Sequence, residues 1–241
     1  MNHKKRFYRD YASTDCSVFN VKIDTSDLYI KADVNLHDIA YEALRVTRNE
    51  LEDHIKKHSE FLYSLNPLTP CGDETEISSA MYKASEAAGV GPMAAVAGAI
   101  AEKVGRELLN YSKEVIVENG GDLWMKLDKP AVIGIYANNI HFKDNIGIRV
   151  YPPATPCSVC TSTSRLGHSL SFGKADSVTV IASTGAVADA AATAVCNMVQ
   201  TADDIEKALE TGLSIPGVRG CLIIFRDKIA LLGEVELAPP E

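Results

Sequence analysis

The sequence is short of positive charge. Its 241 residues hold 24 Lys and Arg against 32 Asp and Glu, a formal net charge of -8. A nucleic-acid-binding surface needs a basic face, so that class of partner is excluded. The one basic cluster, Lys4-Lys5-Arg6, falls in the first few residues and reads as a solvated arm, with residues 1–12 expected to be flexible. Long apolar runs are missing too. The most apolar windows, Met93 to Ala101 and Val178 to Ala182, are far too short to span a bilayer, so no membrane partner is expected. The basic start leads into Phe7-Tyr8-Arg9-Asp10-Tyr11 instead of an apolar stretch, so no secretory signal is read. The expectation is a cytoplasmic protein whose six cysteines are reduced thiols. They do not repeat a Cys-x-x-Cys pair as a zinc ribbon would. Gly-x-Ser-x-Gly, His-Glu-x-x-His, Walker and Gly-x-Gly-x-x-Gly motifs are absent, as are internal repeats, low-complexity segments and linkers.

What is present is a hydrophobic fraction of 46% in mixed patterns. Residues 17–23 and 28–32 alternate apolar and polar around the turn formers Asp24 to Asp27, which predicts a β-hairpin. Asn35 is placed to cap a helix over 37–60. A loop over 66–73 precedes helices at 76–88 and 92–110, separated by Gly89-Val90-Gly91-Pro92. The second is lined with small residues, which permit close packing on a sheet or ligand. Strands are expected at 114–118, 123–127, 132–137 and 146–150, a loop over 151–165, and a strand at 177–183. Helices follow at 187–200 and 203–211, and a final hairpin at 219–225 and 228–235 turns at Arg226-Asp227. The order is mixed, without regular strand-helix alternation, so the fold class is α+β in a single domain, 1–241.

Several constellations could carry chemistry. Asn119-Gly120-Gly121-Asp122 reads first as a hairpin turn, though its glycines could let backbone N–H groups approach a ligand. Asp189 and Thr193 lie four apart on a helix, so both oxygens face one side and could hold Mg²⁺. Cys157 and Cys160 form the one Cys-x-x-Cys. Thr69-Pro70-Cys71 echoes Thr155-Pro156-Cys157, so Cys71, Cys157 and Cys160 form a trio of loop thiols able to hold an iron–sulfur cluster or relay sulfur as a persulfide. Cys16, Cys196 and Cys221 read as small packed thiols. His168 is a candidate base or ligand. The other histidines, His3, His37, His54, His58 and His141, sit among polar residues and are expected to be exposed.

Four stretches carry a resemblance: GVGPMAAVAGAIAE (89–102), VENGGDLW (117–124), CTSTSRLGHSLSFGKADSVTVIA (160–182) and ADAAATAVCN (188–197). Together with RFYR (6–9) and the Asp27-Leu28 strand, they resemble an uncharacterised branch of the ApbE superfamily, the FAD:protein FMN transferases, in archaea and anaerobic bacteria. The resemblance implies one ApbE-like domain with a mixed or antiparallel sheet and packed helices. It likens Asp189 to Thr193 to the transferases' metal motif, Asn119 to Asp122 to their Gly-Gly-Asp loop, the run ending at Gly98 to the segment before their Lys-Gly pair, and Thr161-Ser162-Thr163 to their hydroxyl loop. Ala97 stands where they carry lysine and Glu102 where they carry aspartate, and Gly167 to Gly173 replaces their His-x-x-Asp-Pro-x-x-Gly.

The branch's context implies a role in sulfide assimilation towards homocysteine. The leading expectation is therefore a sulfur-handling protein. Cys160, Cys157 and Cys71, with His168, would hold sulfide as a persulfide or on a cluster and pass it to a partner enzyme. The alternative is a Mg²⁺-dependent enzyme binding FAD or FMN through Gly98, Asn119 to Asp122 and Thr161 to Thr163. A third is a non-catalytic scaffold with a degenerate site. A homo-oligomer is left open.

Overall fold

The computed structural model describes residues 16–137, 139, 141–142, 146–163 and 173–239. Strands β1 (Ser17–Ile23) and β2 (Ser26–Ala32) pair antiparallel from Ser17↔Ala32 to Ile23↔Ser26. Only Asp24 and Thr25 separate them, and Asp24 takes φ 50°, which a short polar side chain tolerates. The expected hairpin is thus present, tighter by two residues.

Helix α1 (His37–Lys57) follows, and Asn35 Oδ1 accepts the His37 N–H at 3.0 Å. The helix stops three residues earlier than expected, and a short α2 (Glu60–Tyr63) takes over. Its buried residues Ala40, Leu44, Thr47, Leu51 and His54 form one stripe. His54 is therefore inside, contrary to the exposure expected of it. α3 (Glu76–Ala88) starts with a Thr75–Ser78 capping box. Pro92 opens a 3-10 turn, Pro92–Ala95, that runs into α4 (Val96–Leu108).

Next come β3 (Val115–Asn119), β4 (Asp122–Lys126), β5 (Ala131–Gly134) and β6 (Gly147–Val150). The loop expected over 151–165 contains a six-residue strand, β7 (Cys157–Ser162). Then follow β8 (Ser177–Ala182), α5 (Gly185–Met198), α6 (Ile205–Ser214), β9 (Val218–Phe225), β10 (Lys228–Gly233) and a two-residue β11 (Leu237–Ala238).

Among the described residues, eight strands form one sheet in the order β1-β2-β3-β4-β7-β8-β9-β10, every neighbouring pair antiparallel. β11, β6 and β5 form a second, small sheet. Helices and strands thus segregate as α+β architecture requires. One face of the large sheet takes α1, α3, α4 and α5 over Leu28, Ile30, Val117 and Trp124, and α5 and α6 over Val178, Val180 and Ile223. The other face packs Met125, Val159 and Ile224 against Ile133 and Ile148 of the small sheet. β7 is central and covered on both sides, which is why nearly every residue in it is buried.

Two close approaches set the helix layer. A Cβ on Gly98 would stand 2.2 Å from the Gly185 carbonyl oxygen, and one on Gly185 would stand 2.0 Å from the Gly98 oxygen. α4 and α5 therefore cross backbone against backbone, which only glycine permits. Gly105 gives the same room to the Trp124 ring.

Candidate functional site

The Asn119 to Asp122 segment is the β3–β4 hairpin turn, with φ 73° at Gly120 and 110° at Gly121. The Gly121 N–H is taken up by Glu118 Oε1 at 2.8 Å. The flanking side chains reach the helix layer: Asn119 Nδ2 donates to the Ala97 carbonyl at 3.2 Å. Asp122 is buried where β4 meets β7, and its Oδ1 accepts the Thr161 N–H at 3.2 Å. The Cys160 thiol, which donates to the Gly185 carbonyl at 3.9 Å, stands near this carboxyl, and each shifts the other. Burial pushes the Asp122 carboxyl up to about 7, against the pull of the Thr161 N–H.

Asp189 projects from α5 into the same layer. Its Oδ2 accepts the Gly98 N–H at 2.9 Å, and the neighbouring Ala97 N–H also favours its ionised form. The start of α4, placed against α5 by the glycine crossing, thus gives its unpaired first-turn N–H groups to a carboxylate. Burial, reinforced by the charge of Asp122, still holds Asp189 well above the usual carboxylate range. Glu102 Oε2 accepts the Gly185 N–H at 2.6 Å, while its Oε1 pairs with Arg106 at 2.7 Å. One turn along α5, Thr193 is 4% exposed and its Oγ1 has no hydrogen-bond partner among the described residues. Ser162 Oγ is likewise buried without a partner among the described residues, and Thr161 Oγ1 lies 2.9 Å from Thr179 Oγ1.

The hydrogen bonds thus tie Gly98 to Asp189, Asn119 to Ala97, and Asp122 to Thr161, with Cys160 beside Asp122 and away from the thiol partners expected for it. Glu102, Gly185 and Thr179 complete the framework. Of these the roles of Gly185 and Thr179 were not legible in the sequence, since each acts only through a neighbour distant in the chain.

The thiol trio does not form. Cys157 and Cys160 are three apart on a strand, so they face opposite sides. Cys160 packs with the α5 and α6 cluster, and Cys157 with the small sheet. Cys71 is exposed on a loop elsewhere, its Sγ 3.9 Å from the Thr69 carbonyl and 3.6 Å from the Tyr82 hydroxyl. No iron–sulfur ligand set is assembled from these three. Nor is Cys160 an activated thiol: burial, then the charges of Asp122 and Asp189, hold it well above the ordinary thiol range. His168 lies outside the described residues.

Asp122, Asp189 and Thr193 instead offer oxygen donors, two of them carboxylates destabilised by burial. That donor set suits a hard divalent cation such as Mg²⁺, which would relieve the cost of two buried negative charges.

The family described as AbpE bacteria matches residues 9–236. The chain belongs to this family. It is 39% identical over 220 residues to the UPF0280 protein of Methanocaldococcus jannaschii, covering 89% of this chain and 86% of that one. It is 38% identical over 221 residues to the UPF0280 protein of Methanococcus vannielii, covering 89% and 90%. Among solved structures, the apo flavinyl transferase ApbE of Pseudomonas stutzeri superposes with a TM-score of 0.56 at 13% identity, over 94% of each chain. The ApbE protein of Thermotoga maritima gives 0.55 at 15% identity, over 94% of this chain and 97% of that one.

This UPF0280 branch of the ApbE superfamily thus keeps the ApbE fold across deep sequence divergence. The four stretches that carry the resemblance are α4, the β3–β4 turn, β7 with β8, and α5. These are the elements that enclose Asp122 and Asp189. No single helix among the described residues is long and apolar enough to cross a membrane.

Proposed function

We propose that this protein binds a flavin dinucleotide together with Mg²⁺ at Asp122, Asp189 and Thr193. One observation carries the reading: two buried carboxylates, Asp122 and Asp189, lie close enough for the charge of one to raise the other, and one turn along α5 from Asp189 the buried Thr193 hydroxyl has no hydrogen-bond partner among the described residues. A buried polar atom left unpaired is costly, so such an atom is retained where something else completes it. The flavin assignment is supported by the ApbE fold and by the naming of the Pseudomonas stutzeri protein as a flavinyl transferase.

Asp189 and Thr193 would hold the cation from one face of α5, with Asp122 opposing from β4. A bound Mg²⁺ supplies charge neutralisation to a pyrophosphate. The Ala97 and Gly98 N–H groups keep Asp189 oriented. The Cys160 thiol, kept protonated by burial, adds no further anion beside Asp122 and Asp189. Ala97, where the transferases carry lysine, leaves the cation as the principal positive charge there.

Calorimetric titration with FAD tests this. Binding is expected with Mg²⁺ present, strongly reduced when Mg²⁺ is chelated and abolished in Asp189→Ala. Absence of heat with Mg²⁺ present, or equal heat in the Asp189→Ala variant, refutes it.

A further inference from the structure

A second group of donor side chains lies where α1 ends. His54 and His58 occupy successive turns, ring centroids 4.8 Å apart. The loop entering α3 brings Asp73 against them, its Oδ1 2.8 Å from His58 Nε2. One donor atom from each of the three residues lies within 4.8 Å of the others. We propose that His54, His58 and Asp73 form a transition-metal site of the zinc type, with a fourth position open.

The donor chemistry selects the metal. Two imidazoles and a carboxylate suit zinc and its neighbours, whereas Mg²⁺ and Ca²⁺ take all-oxygen sets. Ligands about 2.0–2.1 Å from a tetrahedral ion stand roughly 3.4 Å apart, so the donors need close by little more than an ångström. The site is also built. His54 is only 3% exposed, and its ring is held edge-on by Phe61 at 4.9 Å and Tyr82 at 5.7 Å. The Tyr82 hydroxyl lies 3.2 Å from His54 Nε2, and such an outer partner fixes the ring of a metal ligand.

Glu74 Oε1 gathers the N–H groups of Cys71 and Gly72, which folds the loop so that Asp73 turns towards the helix. Cys71, two residues before Asp73, contacts the same Tyr82 hydroxyl at 3.6 Å, so a softer donor stands close by. The C-terminal end of a helix favours a cation. Lys57, 3.3 Å from Asp73 Oδ2, is the competing charge that a metal would displace.

The test uses the full chain, stripped with a chelator and titrated with Zn²⁺ in competition with a chromophoric chelator. Co²⁺ is followed in parallel by its visible spectrum. One equivalent of Zn²⁺ is expected to bind, with tetrahedral Co²⁺ bands. His58→Ala and Asp73→Ala should each weaken Zn²⁺ binding by at least ~10-fold. Both side chains are partly exposed, so circular dichroism should show an intact fold. Asp189→Ala should bind Zn²⁺ as the unmodified chain does, which separates this site from the one proposed for Mg²⁺. No competition by the unmodified chain, undiminished affinity in the His58→Ala/Asp73→Ala double variant, or loss of affinity in Asp189→Ala overturns the proposal.

Discussion

The chain contains Thr-Pro-Cys twice, and the two copies live in opposite surroundings. Thr69-Pro70-Cys71 belongs to an exposed loop beside Tyr82. Thr155-Pro156-Cys157 feeds a central strand, with Cys157 fully buried against the small sheet. Burial pushes the Cys157 thiol up to about 11. The same tripeptide is a reachable thiol in an open region and an inert packing group in a sealed one. What differs is the element each tripeptide docks onto; across the sheet from Cys157, the equally sealed helix-covered face holds Cys160, with Asp122 and Asp189 buried beside it.

That contrast can be broken by paired experiments. The largest effect expected is on pH dependence. A carboxyl raised in the fold stabilises below its unfolded value and loses that stability as pH rises through its folded value. Asp122, raised to about 7, should therefore make the metal-free protein less stable from about pH 4 to 7. The slope is at most roughly 1.4 kcal/mol per pH unit for one site. Asp73, in the open region, is lowered by its hydrogen bonds to His58 and Lys57, so its contribution is present above its unfolded value and fades as pH falls through the folded one. Thermal unfolding across pH 3–8 should show both limbs. Asp122→Asn should make the upper limb shallower, with Asp189, also raised, supplying the remainder, and should leave the lower limb unchanged; an unchanged upper limb would remove Asp122 from the account.

Next in size are glycine substitutions. Gly98→Ala drives a Cβ into the Gly185 carbonyl and should cost about 3 kcal/mol in denaturant unfolding. Gly72→Ala meets nothing within 4 Å, but at φ +94° it should cost about 1–2 kcal/mol. The reverse order would mean that the helix crossing yields easily. Smaller still, Cys157→Ser buries a hydroxyl among apolar side chains and should cost about 2 kcal/mol, whereas Cys71→Ser should stay within about 0.5 kcal/mol. Alkylation followed by mass spectrometry sharpens the same pair. Cys71 should label in the native protein, and Cys157 and Cys160 only on unfolding.

Hairpins and helices were legible where alternation or small-residue helical spacing was strong, as in 17–32, 76–88 and 219–235. β7 was not. Cys157 to Ser162 has a single bulky apolar residue, Val159, so a strand buried on both faces by neighbours looked like a polar loop. His54 could have been found. It continues the spacing of Ala40, Leu44, Thr47 and Leu51, but the charged residues beside it masked the stripe. Family likeness pointed to Asp122, Asp189 and Gly98, while their convergence depends on the α4–α5 crossing, which no local pattern announces. The thiol trio failed for a geometric reason that spacing alone contains: three residues along an extended strand is an odd number.

The hydrogen bond from Gly98 to Asp189 makes one backbone amide an informant. Any cation that claims the Asp189 carboxylate, alone or carrying a phosphate, must alter that bond, and the resonance of a glycine amide at a helix start is readily assigned. The Gly98 N–H signal would therefore report occupancy of the site without a label, a cofactor chromophore or turnover.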